Sequence, residues 1–369
     1  MIYLDNGATS FRKPAEVGRA MQRALASCAN PGRGGYGAAM EAAKTVYRCR
    51  ELAGEMFDCP PERVIFTANC THGLNIAIRS LVKPGSRVVI SGFEHNAVTR
   101  TLHDLGAAVT VAGRRLFDWE DTLSRFADAL KQGADAAVFT HVSNVFGYIL
   151  PVEEMAALCR QHGVPFILDA AQSAGTLPVS LKGLGAAYIA MPGHKGLLGP
   201  QGTGLLLCAD TPNPLLTGGT GSSSVLQTMP EDLPDRAEAG TVNVPGIAGL
   251  AAGLGYIRRE GIGRIFRRER KQAEYCIRGL RKLGMRVFDG PHQAGTVSFL
   301  PGMDCEEAAA RLARLGIAVR AGLHCAPLAH ESAGTLETGT VRISFGHDGS
   351  FVETEALIRG VSKLLPYVM

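Results

Sequence analysis

Apolar residues follow two alternating patterns over the first two-thirds of the chain. Short runs rich in Val, Ile, Leu, Ala and Phe lie at 64–66, 87–90, 108–111, 136–140, 165–168, 187–191 and 205–208. Between most of them apolar residues recur at helical spacing, as over 152–162. Strand runs alternating with helices predict an α/β fold whose mostly parallel sheet is covered on both faces. From about Gly255 the pattern changes. One long helix is expected over 257–283, then strands near Arg286, Thr296 and Ala318, a strand over 341–345 (VRISF) and a closing helix. This predicts a large α/β domain over 15–255 and a smaller α+β domain made of 1–14 and 256–369. The segment 211–243 is rich in Gly, Ser, Thr and Pro, with GGTGSSS at its centre. It is too long for an ordinary connection and reads as a mobile lid or an interface loop.

Composition narrows the class. A chain of 369 residues with 46% hydrophobic and 20% charged residues is globular and long enough for more than one domain. The net charge of +4 is small, and the basic residues between Arg258 and Lys271 read as the solvated face of a helix. They lack the interleaved aromatic series of a nucleic-acid stripe, so no nucleic-acid partner is expected. The opening MIYLDNGATS is not built like a secretory leader, and no apolar run is long enough to span a bilayer. A cytoplasmic protein without a membrane partner is therefore expected. The nine cysteines include no CxxC pair, which argues against a disulfide framework and a structural zinc site; no metal is expected. Cys70, Cys159, His162 and Cys305 read as packing residues.

The chemically notable residues fall just after predicted strand ends, where open α/β sheets place their ligand crevice. Lys195, in MPGHKGLLGPQGTG, carries an amine able to condense with an aldehyde. Asp169 closes VPFILD and is placed to keep a pyridine nitrogen protonated. Together they read as the two anchors of a pyridoxal phosphate site. Alone, a lysine in a Gly-rich turn is an ordinary solvated residue. TANCTHGLN runs into a helix start, where Thr71 and His72 suit an anion or simply cap the helix. His194 adds a ring N–H donor. His95, after the strand at 87–90, is placed to stack on a flat ring and relay a proton. Gln172 is in reach of a ring hydroxyl, and Asn144 of the same oxygen or of a substrate. Arg342 lies inside VRISF, where a charge needs a partner, either a substrate carboxylate or a structural acid. Arg320 precedes AGLHCAP, in which Gly and Pro flank Cys325 and expose it beside His324; a nearby cation would favour its thiolate.

In this order the motifs resemble a known family. YLDNGATSFRKP, CTHGLN, EHNAV, SNVFG, DAAQS, GHKGLLGPQG, EAGTVN and RISF are together similar to the pyridoxal phosphate-dependent cysteine desulfurases of the class V aminotransferase group. The resemblance covers nearly the whole chain. RAGLHCAP is similar to the second subgroup, which holds sulfur-mobilising desulfurases and selenocysteine lyases. The resemblance implies the aspartate aminotransferase-like fold (fold type I). It implies that Lys195 binds the cofactor covalently, His95 stacks on its ring, Asp169 pairs with the ring nitrogen and Gln172 with the ring hydroxyl. Thr71, His72 and His194 would hold the phosphate. Thr241 would reach the site of the other subunit of a homodimer. Asn144 and Arg342 would hold the substrate, and Cys325 would accept sulfur from L-cysteine, for transfer to an acceptor protein; Arg320, beside the Cys325 segment, is a further substrate-binding candidate. The family's hydroxyl residue three positions before the lysine is here Pro192, so one phosphate contact is lost or comes from elsewhere, such as the Gly-rich loop. Selenocysteine lyase, another pyridoxal phosphate reaction (transamination, β-elimination or epimerisation) and a partner-dependent sulfur-relay subunit remain open. So does the pathway served: iron–sulfur assembly, thiolation or selenium metabolism.

Overall fold

The computed structural model describes residues 1–32 and 34–365. The strands are β1 (Ile2–Tyr3), β2 (Val64–Thr67), β3 (Arg87–Ser91), β4 (Ala108–Ala112), β5 (Ala136–Thr140), β6 (Phe166–Asp169), β7 (Tyr188–Pro192), β8 (Gly204–Cys208), β9 (Arg286–Phe288), β10 (Thr296–Leu300), β11 (Ile317–Ala318), β12 (Arg320–Gly322) and β13 (Thr340–Ser344). Seven of them form the central sheet in the order β2-β8-β7-β6-β5-β3-β4. The pairs β3–β4, β3–β5, β5–β6 and β6–β7 are parallel, while β8 runs antiparallel to both β7 and β2. The mostly parallel sheet expected from the apolar runs is present.

Continuous apolar runs are required because successive side chains enter different cores. In β5, Ala137 and Phe139 join the core on one face and Ala136 and Val138 the core on the other. Phe166 and Leu168 against Ile167 in β6 repeat this, as do Leu205 and Leu207 against Leu206 and Cys208 in β8.

The helices in the first half are α1 (Ala15–Ser27), α2 (Gly37–Phe57), α3 (Cys70–Leu81), α4 (Asn96–Asp104), α5 (Trp119–Lys131), α6 (Val152–Gln161) and α7 (Leu181–Leu184). Local chemistry starts several of them: Asn69 accepts from the His72 amide at α3, and Asp118 from the Asp121 amide at α5. The second half holds α8 (Val244–Glu260), α9 (Ile262–Lys282), α10 (Cys305–Arg314), α11 (Pro327–Ala333) and α12 (Phe351–Ser362). The single helix expected over 257–283 is thus two. The first starts at Val244, and the chain turns at Gly261, whose φ of 82° a side-chain-bearing residue adopts only under strain. The break falls in the stretch Gly261-Ile262-Gly263, between two Arg-rich helical segments.

A four-stranded antiparallel sheet, β12-β13-β10-β9, carries the C-terminal part. The N-terminal strand joins it: β1 pairs with β11, and Asp5 bridges to Ser344. Among the described residues no helix is long and apolar enough to cross a membrane.

Candidate active site

The chain crosses from β3 outward to β4 and then back to β5, so the sheet's topological switch lies between β3 and β5. The loops leaving β3, β5, β6 and β7 meet there. They bring His95, Asn144, Asp169, Gln172, His194 and Lys195 to one cleft of about 510 Å³, whose other wall holds Asn69, Cys70 and Thr71 from the start of α3. Seven of the residues singled out in the sequence thus share one cavity.

Lys195 sits in a tight turn after β7, closed by Leu198 N donating to its carbonyl at 2.9 Å. A Cβ on the next residue, Gly196, would come within 2.3 Å of the Ala174 carbonyl, so only glycine fits there. Burial lowers the Lys195 pKa, and the Cys70 and Asp169 groups partly oppose this. Less cationic lysine is better nucleophile for an aldehyde. Asp169 is 2% exposed. Its Oδ1 accepts from the Ala171 amide at 2.9 Å and from Cys70 Sγ at 3.5 Å. Its Oδ2 has no hydrogen bond among the described residues.

His95 caps α4, its Nδ1 accepting from the Ala97 amide at 3.0 Å. In the neutral ring that fixes the proton on Nε2. Burial lowers the His95 pKa, and Asp169 opposes this. Gln172 Nε2 donates to the Gly7 carbonyl at 3.0 Å, which leaves its Oε1 as the free end.

Beside Lys195, His194 Nδ1 is buried and unpartnered. Burial, with the Lys195 and Lys13 charges adding to it, pushes this ring down to about 4. The His194 carbonyl accepts from Lys13 Nζ at 2.8 Å, and burial alone lowers Lys13 to about 8. The orphaned His194 nitrogen, the open Asp169 oxygen and the amide-rich start of α3 fit the three polar ends of pyridoxal phosphate. Pro192 forms part of the wall. The Gly-rich loop of the same chain does not replace the missing hydroxyl, because it encloses a separate hollow (217–224 and 226–230). Asn69 and Thr71 are the polar side chains near the start of α3 that line the cleft.

Other expected residues lie elsewhere. His72 turns to a neighbouring hollow of about 710 Å³ that it shares with Thr241 and Asn243. Its Nδ1 accepts from the Ala68 amide at 3.2 Å. Thr241 is exposed there and does not line its own chain's cleft.

Arg342 and Arg320 both meet Asp5, which the motif analysis had left without a role. Arg342 is 2% exposed, and its Nη2 donates to Asp5 Oδ1 at 2.7 Å. Its Nη1 donates to the Asn144 carbonyl at 3.0 Å, and its Nε is unpartnered. Arg320 places Nε and Nη2 on Asp5 Oδ2 at 2.9 and 2.8 Å. The strand arginine thus has a structural acid in Asp5, and its Nε stays open toward a further partner. Arg320 is tied to Asp5 by one edge of its guanidinium.

Of the nine cysteines, Cys325 alone is exposed. Cys305 and Cys159 are buried packing residues, while His162 is exposed at the end of α6 rather than packed. Cys70 packs in the core as expected and also lines the cleft, from the first position of α3, which hydropathy alone does not reveal. The cleft joins the Cys325 turn through Asn144, whose Nδ2 donates to the His324 carbonyl at 2.7 Å.

Residues 2–357 match the family described as Aminotransferase class-V. The chain is 32% identical to a probable cysteine desulfurase of Methanothermobacter thermautotrophicus, over 96% of this chain and 92% of that one. It is also 32% identical to a probable cysteine desulfurase of Pyrococcus abyssi, over 99% and 94%. Among solved structures, the apo cysteine desulfurase of Thermococcus onnurineus NA1 superposes with a TM-score of 0.91 at 33% identity, covering 99% of this chain and 95% of that one.

Proposed function

The chain belongs to the class-V aminotransferase family, and on that premise we propose that it acts as a cysteine desulfurase, converting L-cysteine to L-alanine and leaving the sulfur as a persulfide on Cys325. The observation that carries this reading is the joining of two features by one residue. Asn144 lines the Lys195 cleft and holds the turn of the one exposed cysteine.

Pyridoxal phosphate is the cofactor of this reading. Lys195 would hold its aldehyde, Asp169 its ring nitrogen, His95 its ring face and Gln172 its ring hydroxyl; Thr71 and His194 would hold its phosphate, while His72 faces the neighbouring hollow. When bound, it supplies an electron sink that acidifies the Cα–H of an amino acid. The rest falls to the protein. Lys195, lowered in pKa by burial, takes up the Cα proton. The Cys325 thiolate attacks the substrate sulfur, forming an S–S bond as the substrate C–S bond breaks. The electron pair of that bond stays with carbon, which takes a proton and leaves as alanine. His95 Nε2–H is the donor placed in the cleft. Atoms balance as one cysteine in, one alanine and one persulfide out.

Arg342 Nε, the free nitrogen of an otherwise engaged guanidinium, is the proposed contact for the substrate carboxylate. The proposed division is a large domain over 15–255 and a small one of 1–14 with 256–369. Exposed Thr241, in the hollow shared with His72, supports a homodimer in which it serves the partner's site. A sulfur-acceptor protein follows from the exposure of Cys325.

The test is alanine and sulfide release from L-cysteine with a reductant, for wild type and Cys325→Ala. Equal yields that are lost in the variant support the reading. Undiminished turnover in Cys325→Ala removes Cys325 from the reaction, and no alanine from the wild type removes L-cysteine as the substrate.

A further inference from the structure

The turn carrying Cys325 is strained. His324 and Cys325 both have left-handed backbone, with φ of 51° and 56°. Two adjacent residues with side chains adopt this only where the surroundings impose it. Two restraints act on their carbonyls. His324 O accepts from Asn144 Nδ2, and Cys325 O accepts from the Asn96 amide at the start of α4, each at 2.7 Å.

A third restraint lies behind the turn and takes no part in the reaction above. His324 Nε2 lies 3.3 Å from the Arg320 carbonyl, and its Nδ1 lies 3.4 Å from His330 Nε2. The two rings are nearly parallel, at 14°. His330 Nδ1 lies 2.8 Å from Thr335 Oγ1. His330 is fully buried, and Thr335 is 1% exposed.

One set of protons closes all three contacts of this chain. A carbonyl only accepts, so His324 Nε2 carries the proton and Nδ1 accepts. His330 Nε2 must then donate, its Nδ1 accepts, and the Thr335 hydroxyl donates. Both rings are neutral, and a proton added to His324 Nδ1 would face another N–H. The charged groups acting on His324 are the Arg342 and Arg320 guanidiniums, and His330 stands against the Phe146 ring. No carboxylate acts on either ring among the described residues.

We propose that His330 is a positioning residue for Cys325: a one-way chain from Thr335 through His330 and His324 to the Arg320 carbonyl holds the thiol-bearing turn in its strained shape. The proposal rests on Cys325 as the sulfur-accepting residue. His330 itself touches neither the substrate nor Cys325. Its effect is to deliver the thiol to one place, so that sulfur is taken up by a fixed group rather than a swinging loop.

The test uses the cofactor-loaded enzyme and three variants. His330→Phe keeps a ring and removes both nitrogens, Thr335→Val removes the hydroxyl, and Thr335→Ser keeps it. Two quantities are read: amide hydrogen exchange over 323–326, and single-turnover persulfide formation on Cys325 by peptide mass spectrometry. In His330→Phe, exchange is expected to rise at least about tenfold and persulfide formation to fall about tenfold, with KM for L-cysteine within twofold. Thr335→Val should shift both about threefold, and Thr335→Ser should match wild type. Wild-type exchange and persulfide rates in folded His330→Phe would overturn the proposal. Should that variant fail to fold, unchanged values in Thr335→Val would overturn it instead. A wild type that forms no persulfide defeats the reading of the reaction, and the exchange comparison then decides on the strap alone.

Discussion

Arg342 Nη2 donates to Asp5 Oδ1 at 2.7 Å, joining β13 of the C-terminal sheet to a residue near the chain start. The guanidinium is 2% exposed, and Asp5 also takes both donors of Arg320 on its other oxygen. A single carboxylate therefore pairs with two cations, leaving one positive charge in excess, and fixes the N-terminal segment on which Gly7 accepts from Gln172 in the cleft.

Replacing Asp5 with Asn should thus act first on stability. Removing one partner of a buried pair leaves an uncompensated charge and costs about 3 kcal/mol. A urea unfolding midpoint lowered to match is the expected result, with an unchanged m-value. Arg342→Lys should instead raise KM for L-cysteine about tenfold or more, because an ammonium cannot hold Asp5, the Asn144 carbonyl and a carboxylate in one plane. A KM unchanged in folded Arg342→Lys would remove this residue from the substrate site.

A second prediction concerns Glu94, which is fully buried between β3 and β5. Its Oε1 accepts from Ser91 Oγ and, at 3.0 Å, from the Thr140 amide, while its Oε2 is unpartnered. Burial pushes this carboxyl up to about 8. The folded pKa lies above the unfolded one, so the protonated form is favoured in the native state. Its contribution to stability is complete below the unfolded value and is lost as pH rises through about 8. Glu94→Gln mimics the protonated group. It should be neutral near pH 5 and more stable than wild type by on the order of 1–2 kcal/mol at pH 9, as read from urea midpoints. A variant less stable at pH 9 than at pH 5, relative to wild type, would contradict this.

The sheet was legible because its inner strands are apolar on both sides, and Lys195, Asp169 and His95 because chemistry sits at strand ends. What stayed hidden depends on contacts between distant parts. Asp5 and Arg342 are separated by most of the chain, so the arginine's need of a partner was readable and the partner's identity was not. The break at Gly261 is set by one backbone angle inside a run that looks helical throughout. Cys70 reads as a small hydrophobe until α3 is docked against β6.

On the acid side the enclosed imidazoles decide. Burial lowers His141 and His330 to about 4 and His324 to about 3. Here the folded pKa is below the unfolded one, so stability is complete above about 6.5 and is lost as pH falls toward 4. Lowering pH from 7.5 to 5 should cost on the order of 2 kcal/mol per fully enclosed ring. Glu94 gains stability over the same range, so the reading is a difference: the His141→Leu urea midpoint should rise relative to wild type as pH falls from 7.5 to 5. A difference independent of pH would exclude a buried neutral His141.

Cys70 offers the finest probe of the cleft. Its thiol is fully enclosed and lies 3.5 Å from Asp169 Oδ1, and burial, with the Asp169 charge adding to it, keeps it protonated. It therefore acts as a weak donor that orients Asp169 and not as a nucleophile. Asp169→Ala should weaken equilibrium binding of added pyridoxal phosphate more than a hundredfold, since it removes the carboxylate itself. Cys70→Ala should weaken it by less than about tenfold, because the Ala171 amide still holds Oδ1 at 2.9 Å. Cys70→Ser, with a stronger donor, should bind at least as well as wild type. A loss in Cys70→Ala as large as in Asp169→Ala would mean that the thiol contacts the cofactor directly, and persulfide found on the Cys70 peptide of the wild type would mean that it is not inert.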